Sequence, residues 1–162
     1  MGTNDGQIIG TTKVIDNGPD NIRWNLVIVG DGYQSGELAK YHADVDDFWT
    51  ILRATPPYDR LCGGINLYRV DVASNESGAT DPGCAGGAPV TVKTFFDATF
   101  CSQFQGVALD RLLTIDSDLA LTVSKAQVPL RHKVLCIVNS SKYGGSGGAV
   151  ATCSTDTAAA QA

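Results

Sequence analysis

The sequence predicts an α/β layered domain, on three observations. Two stretches, "NLVIVG" and "HKVLCIVN", are nearly continuous in apolar and β-branched residues, the mark of strands covered on both faces. Behind the first, Leu38, Tyr41, Val45, Phe48 and Leu52 recur at a 3-4-3-4 spacing that places all five on one helical face. Strand-like and helix-like segments then alternate along the chain, which is the signature of a layered α/β architecture. With 162 residues the chain can bury one sizeable core, and no internal repeat or linker divides it.

The first strand runs into "GDGYQSGEL". Gly30 and Gly32 fit the start of a dinucleotide fingerprint, but Ser35 stands where the third glycine belongs. Asp31 would also set a negative charge beside a phosphate, so a tight strand-to-helix turn is the favoured reading. Its expected role for Asp31 is an Asx-type bond to nearby amides. Ser35 is expected to cap the helix, Glu37 to complement its dipole, and Pro56-Pro57 to stop it. His42, Asp44, Asp46 and Asp47 on this helix suggest a metal, yet only His42 and Asp46 are four apart. A solvated face is favoured.

"INLYRVDV" alternates well enough to be the second strand. A long glycine-rich stretch follows, 73–89, of the kind that is functional or pinned by a disulfide. Asp71, Asn75, Glu76 and Asp81 could wrap calcium, but their spacing fits no EF-hand and turn chemistry accounts for them. Further on, "RLLTI" reads as a short strand and "SDLALTVSKAQ" as a helix, with Asp116 or Ser117 as cap and Pro129 as terminator. "HKVLCIVN" is then the central strand.

Twelve basic against seventeen acidic residues give a net charge of -5 with no basic cluster, so nucleic acid is not an expected partner. No apolar run is long enough to cross a bilayer, so no membrane partner is expected either. Five cysteines without a C-x-x-C pair point to an oxidising compartment, and hence to secretion. Cys84 and Cys101 are the candidate disulfide, and Cys136 reads as a buried free thiol. "MGTNDGQIIG" has neither the basic start nor the apolar core of a secretory signal, so an export signal would lie outside this chain.

Near the end, "YGGSGGAVATCST" formally satisfies G-x-S-x-G, which offers Ser146 as a nucleophile. No histidine follows Ser146, and drafting His42 and Asp71 would require an all-β double barrel. The favoured reading is structural: glycines clear side chains from a backbone, and a short uncharged β-prone segment can accept an extended peptide by main-chain hydrogen bonds. Gly147, Gly148, Ala149, Val150, Ala151 and Thr152 are the candidate substrate-binding residues.

Taken together, "NLVIVGDGY", "DFWTILRATPPYDR", "INLYRVDVASNESGATDPGC", "FFDATFC", "RLL", "AQVP" and "VNSSKYGGSGG" resemble, in order, the N-terminal part of the catalytic domain of the IgA-peptidase-type zinc metallopeptidases. The resemblance runs from about Asn25 onward. It makes 1–24 an N-terminal extension and 25–162 the front part of a catalytic domain. It implies a metzincin-like twisted mixed sheet with helices packed on it, an antiparallel edge strand beside the cleft, and a protein or peptide substrate. It also implies an active-site helix bearing H-E-x-x-H, with two histidines on zinc and a glutamate activating a bound water. This sequence has no such motif, and His42 and His132 match no family ligand. The chain is therefore expected to be an incomplete domain, lacking the active-site helix and C-terminal subdomain. It is expected to hold no zinc, to be inactive alone and to contain no catalytic residue, with zinc belonging to the longer parent.

Overall fold

In a computed structural model the structure describes residues 4–155. In chain order the elements are β1 (Gly6–Ile15), β2 (Trp24–Asp31), α1 (Leu38–Leu52), α2 (Tyr58–Leu61), β3 (Ile65–Ser74), β4 (Gln103–Phe104), β5 (Val107–Ala108), α3 (Ser117–Gln127), β6 (Lys133–Val138), β7 (Gly145–Ser146) and β8 (Val150–Ser154). Six strands form one mixed sheet in the order β1-β3-β2-β6-β8-β7, and β4 and β5 make a separate hairpin. β3, β2, β6 and β8 are mutually parallel, while β1 and β7 close the two sides in the antiparallel sense. No helix among the described residues is long and apolar enough to cross a membrane.

The mixed α/β class read from the sequence is present. Alternation sends successive side chains of each strand to opposite faces, so the sheet carries two cores. On one face Val27, Val29, Val134, Cys136, Val138 and Val150 pack with Phe96, Phe100 and α3; Cys136 is the buried free thiol expected. On the other, Leu26, Ile28, Leu135 and Ile137 pack against α1.

Helix α1 buries Tyr41, Val45 and Trp49, while Leu38, Phe48 and Leu52 are half-buried beside them. Trp49, one residue beyond the expected stripe, takes a central place because a 3.6-residue repeat drifts from a strict 3-4 count. The Tyr41 hydroxyl reaches under the sheet and donates to Ile28 O at 3.0 Å and Val70 O at 3.2 Å, fastening helix to strands. The cap differs from expectation. Ser35 begins a single 3-10 turn, and the Glu37 carboxylate accepts from the Gln34 amide at 2.9 Å. The helix also ends at Leu52, before the prolines, where Thr55 Oγ1 donates back to Ile51 O. Helix α3 starts as read, with Asp116 accepting from the Leu119 amide at 2.9 Å.

Two segments depart from the sequence reading. "RLLTI" is not a strand: Leu112 bridges Gly145 and Thr114 bridges Thr99, single pairings on a loop. The unread β1 lies within 1–24, the stretch expected as an extension, and pairs along β3 as the outer strand of the same sheet.

Candidate functional site

The carboxyl ends of β2, β3 and β6 converge on the GDGY turn, and Asp31 organises them. Its side chain is fully buried. Oδ1 accepts from the Phe96 amide at 2.9 Å and Ser74 Oγ at 3.2 Å; Oδ2 accepts from Thr94 Oγ1 at 2.7 Å and the Ala98 amide at 2.9 Å. Burial raises its carboxyl above the usual carboxylate range, and the four donors oppose that rise. The Asx-type expectation is thus corrected: the amides that Asp31 binds lie far along the chain, in 94–98, and it pins that loop over the end of β2.

Both polar groups of the Gly32 backbone are already engaged. Gly32 N donates to Ser74 Oγ at 3.1 Å, and Gly32 O accepts from Gly78 N and from Asn139 Nδ2, each at 3.0 Å. The central amide of the turn is therefore not free to receive a phosphate. Gly32 has φ +71, and a Cβ there would overlap the Gly78 carbonyl, so glycine is required by both conformation and space.

The glycine box forms the far side of the sheet. Its outer strand is β7, rather than the 147–152 stretch expected at that place. Gly147, Gly148 and Ala149 form an exposed turn; Val150, Ala151 and Thr152 lie in β8, one position in from the side, where Val150 and Thr152 are buried and Ala151 is half-buried. The cause is the two-residue β7 folding back on β8, with Gly145 opposite Cys153 and Ser146 opposite Thr152. The Gly145 amide, pointing away from β8, donates to Arg111 O at 3.1 Å. Lys133 Nζ bonds the carbonyls of Gly148 and Ala149 and fixes the turn from β6.

Between α1 and the outer strands runs an apolar groove in two lobes, of about 290 and 380 Å³. Phe48 and Ile51 of α1 face Cys153 of β8 in both lobes. Burial pushes the Cys153 thiol up to about 11.

Ser146 finds no catalytic partners. Among the described residues no hydrogen bond joins it to a histidine or carboxylate; His42 Nε2 lies 3.1 Å from Asp71, and His132 Nδ1 accepts from the Asn25 amide at 3.0 Å. Of the acidic residues in the two metal readings, Asp44, Asp71 and Asp81 are engaged elsewhere. Asp44 accepts from the Tyr33 hydroxyl at 2.7 Å and from Lys40 at 2.8 Å. Asp71 is paired with Arg69 at 2.8 Å, and Asp81 with Lys142 at 2.6 Å.

Only one set of three donors among the described residues is close enough for a single ion: Cys84, Cys101 and Asp110. Cys84 and Cys101 are joined, as expected, in a disulfide, and disulfide sulfurs are poor ligands. The set therefore does not fit a water-activating zinc centre, which needs ionised or neutral nitrogen, oxygen or thiolate donors around an open position.

No curated protein matches this sequence. The family model described as IgA Peptidase M64, however, matches residues 12–161, nearly the whole chain and including the last four residues of β1. The chain belongs to the IgA peptidase M64 family.

Proposed function

We propose that this chain is the scaffold and substrate-edge portion of a secreted zinc metallo-endopeptidase. Family membership supports a peptidase that acts on proteins or peptides. The observation that carries the finer reading is the outer side of the sheet. A short antiparallel β7 and an exposed glycine turn at 147–149 stand beside an apolar groove, in a molecule whose described residues offer no zinc-ligand set. Extended peptide is recognised by main-chain hydrogen bonds along such a strand, and Gly147 and Gly148 present backbone there without side chains, while Lys133 Nζ already engages the Gly148 and Ala149 carbonyls and fixes the turn's shape. Val150, Ala151 and Thr152 support it from β8.

In this reading the sheet is metzincin-like, and hydrolysis belongs to a zinc-activated water in the longer parent. The zinc would be held by an H-E-x-x-H helix seated in the groove between α1 and β8. The residues described here bind and orient the peptide; they move no proton. The chain alone is inactive.

The test is to express this chain and a version extended by the next ~30 codons of its reading frame, enough for the helix motif. Zinc content and cleavage of unfolded casein are then measured on both. One zinc per molecule and cleavage in the extended version only are expected. Absence of zinc from both, or cleavage by this chain alone, would overturn the reading.

A further inference from the structure

The loop from β6 into β7 carries a single charged side chain, Lys142, and it is turned inward. Its Nζ lies 2.6 Å from Asp81 Oδ2 and 2.6 Å from Asp110 Oδ1, and 4.8 Å from the centroid of the Phe100 ring. Half-burial favours the neutral amine, but the Asp110 and Asp81 carboxylates more than reverse this, and Lys142 is held above the ordinary lysine range. The Lys142 ammonium in turn holds Asp81 below the usual carboxylate range.

The same two carboxylates flank the disulfide. Cys101 Sγ is 3.5 Å from Asp81 Oδ1 and 3.7 Å from Asp110 Oδ1. Asp81 also accepts from the Gly83 amide at 2.9 Å, next to Cys84. Lys142, three positions before β7, is thereby tied to both chain segments that flank the disulfide. A two-residue strand has too few ladder bonds to hold its own place, so what anchors its approach decides whether it forms. Besides the bonds between Gly144 and Ser154 of β8, two anchors converge on the same spot: Gly145 N on Arg111 O, and Gly144 packed so closely on Phe100 that a Cβ would stand 2.5 Å from the ring.

We propose that Lys142 is a positioning residue: clamped between Asp81 and Asp110 beside the Cys84–Cys101 disulfide, it holds β7 and the following turn in place on the sheet. Its consequence for peptide capture rests on the substrate-edge reading above; the clamp itself does not. Opening the disulfide loosens the clamp. A dithiol reagent does this when one thiolate attacks a cystine sulfur and the second releases the reagent as its own cyclic disulfide. Two electrons and two protons pass to the protein, leaving Cys84 and Cys101 as free thiols.

Amide hydrogen exchange tests the clamp on the chain itself. The probes are Gly145 N and Ser154 N, which bond Arg111 O and Gly144 O. In Lys142→Met both exchange about tenfold faster or more, while amides of β6 keep their rates. Lys142→Arg restores protection, Asp110→Asn gives an intermediate loss, and dithiol treatment of the wild type mimics Lys142→Met. Exchange in Lys142→Met within about twofold of wild type overturns the proposal. So does Lys142→Arg exchanging as fast as Lys142→Met, since charge would then not be what holds the strand. In the extended peptidase, Lys142→Met is expected to raise KM with kcat little changed. Faster exchange with an unchanged KM upholds the clamp and counts against the substrate-edge reading instead.

Discussion

Replacing Asp31 by asparagine keeps size and shape but removes the ability of one terminal atom to accept. In either amide orientation the new NH2 faces one backbone N–H and one hydroxyl: Phe96 N with Ser74 Oγ, or Ala98 N with Thr94 Oγ1. Thr94 Oγ1 can rotate and accept, whereas Ser74 Oγ already accepts from the Gly32 and Phe95 amides; neither backbone N–H can accept. One buried amide loses its carboxylate partner, Phe96 N outright or Ala98 N with Thr94 Oγ1 still 3.1 Å away, at about 1–3 kcal/mol, and the two bonds still made fall from charge-assisted to neutral, each losing roughly 1 kcal/mol. Relief from burying a charge returns part of this, so Asp31→Asn is expected to destabilise by about 2–4 kcal/mol. Urea unfolding followed by far-UV circular dichroism measures it, with the m-value unchanged. Exchange at Phe96 N or Ala98 N should rise before that of β2, since the 94–98 loop loses its pin first. A loss under about 1 kcal/mol, or faster exchange in β2 than at residues 96 and 98, would refute the pinning argument.

Gly32→Ala combines a left-handed backbone with overlap onto the Gly78 carbonyl, and is expected to cost about 2–4 kcal/mol in the same urea assay. Gly36→Ala, with open space around it, serves as the control and should change stability by well under about 1 kcal/mol. Cys153, raised to about 11 by burial, should be alkylated by iodoacetamide at pH 8 on the order of a hundredfold more slowly than a free cysteine peptide, and faster as pH climbs toward 11. Mass spectrometry in a Cys62→Ser background reads the rate, and labelling as fast as the peptide would show that the groove is wetter than described.

What the sequence disclosed follows the range of the interactions involved. β2, α1, β3, α3 and β6 announce themselves because each is fixed by residues within a few positions of one another: an apolar run, a helical stripe, an Asp116 cap. β1 escapes because its outward residues are exposed and Gly6, Gly10, Thr11 and Thr12 dilute its apolar alternation; the strand is specified by its partner β3. β7 escapes for the opposite reason, being two residues long and placed by Arg111, Phe100 and Lys142 from elsewhere. The disulfide was readable from loop placement, but the Asp81–Lys142–Asp110 pairing spans up to 61 residues and left no local trace. Asp31 did leave one: an ionisable residue one glycine past the four apolar residues of "LVIV" is set up for burial, and a buried carboxylate must find donors. Which donors those are is a property of the folded chain. The outer strand beside the glycine box is β7, where the sequence suggested 147–152, since nothing in "GGSGGAVATCS" says where the chain reverses.

The two interruptions in the pairing of β1 with β3, between Ile8 and Gly10 and between Lys13 and Ile15, bear on how copies of the molecule behave in solution. A ten-residue strand on the rim of a sheet is an open invitation to a second such strand, and Ile8 and Ile9 lie exposed upon it. Each irregularity tilts the outward-facing amides off the line an incoming chain would need, so that the longest regular run is only the four residues from Gly10 to Lys13. A rim interrupted in this way presents no long regular ladder to a second copy, and straightening it would remove a protection that edge strands ordinarily need.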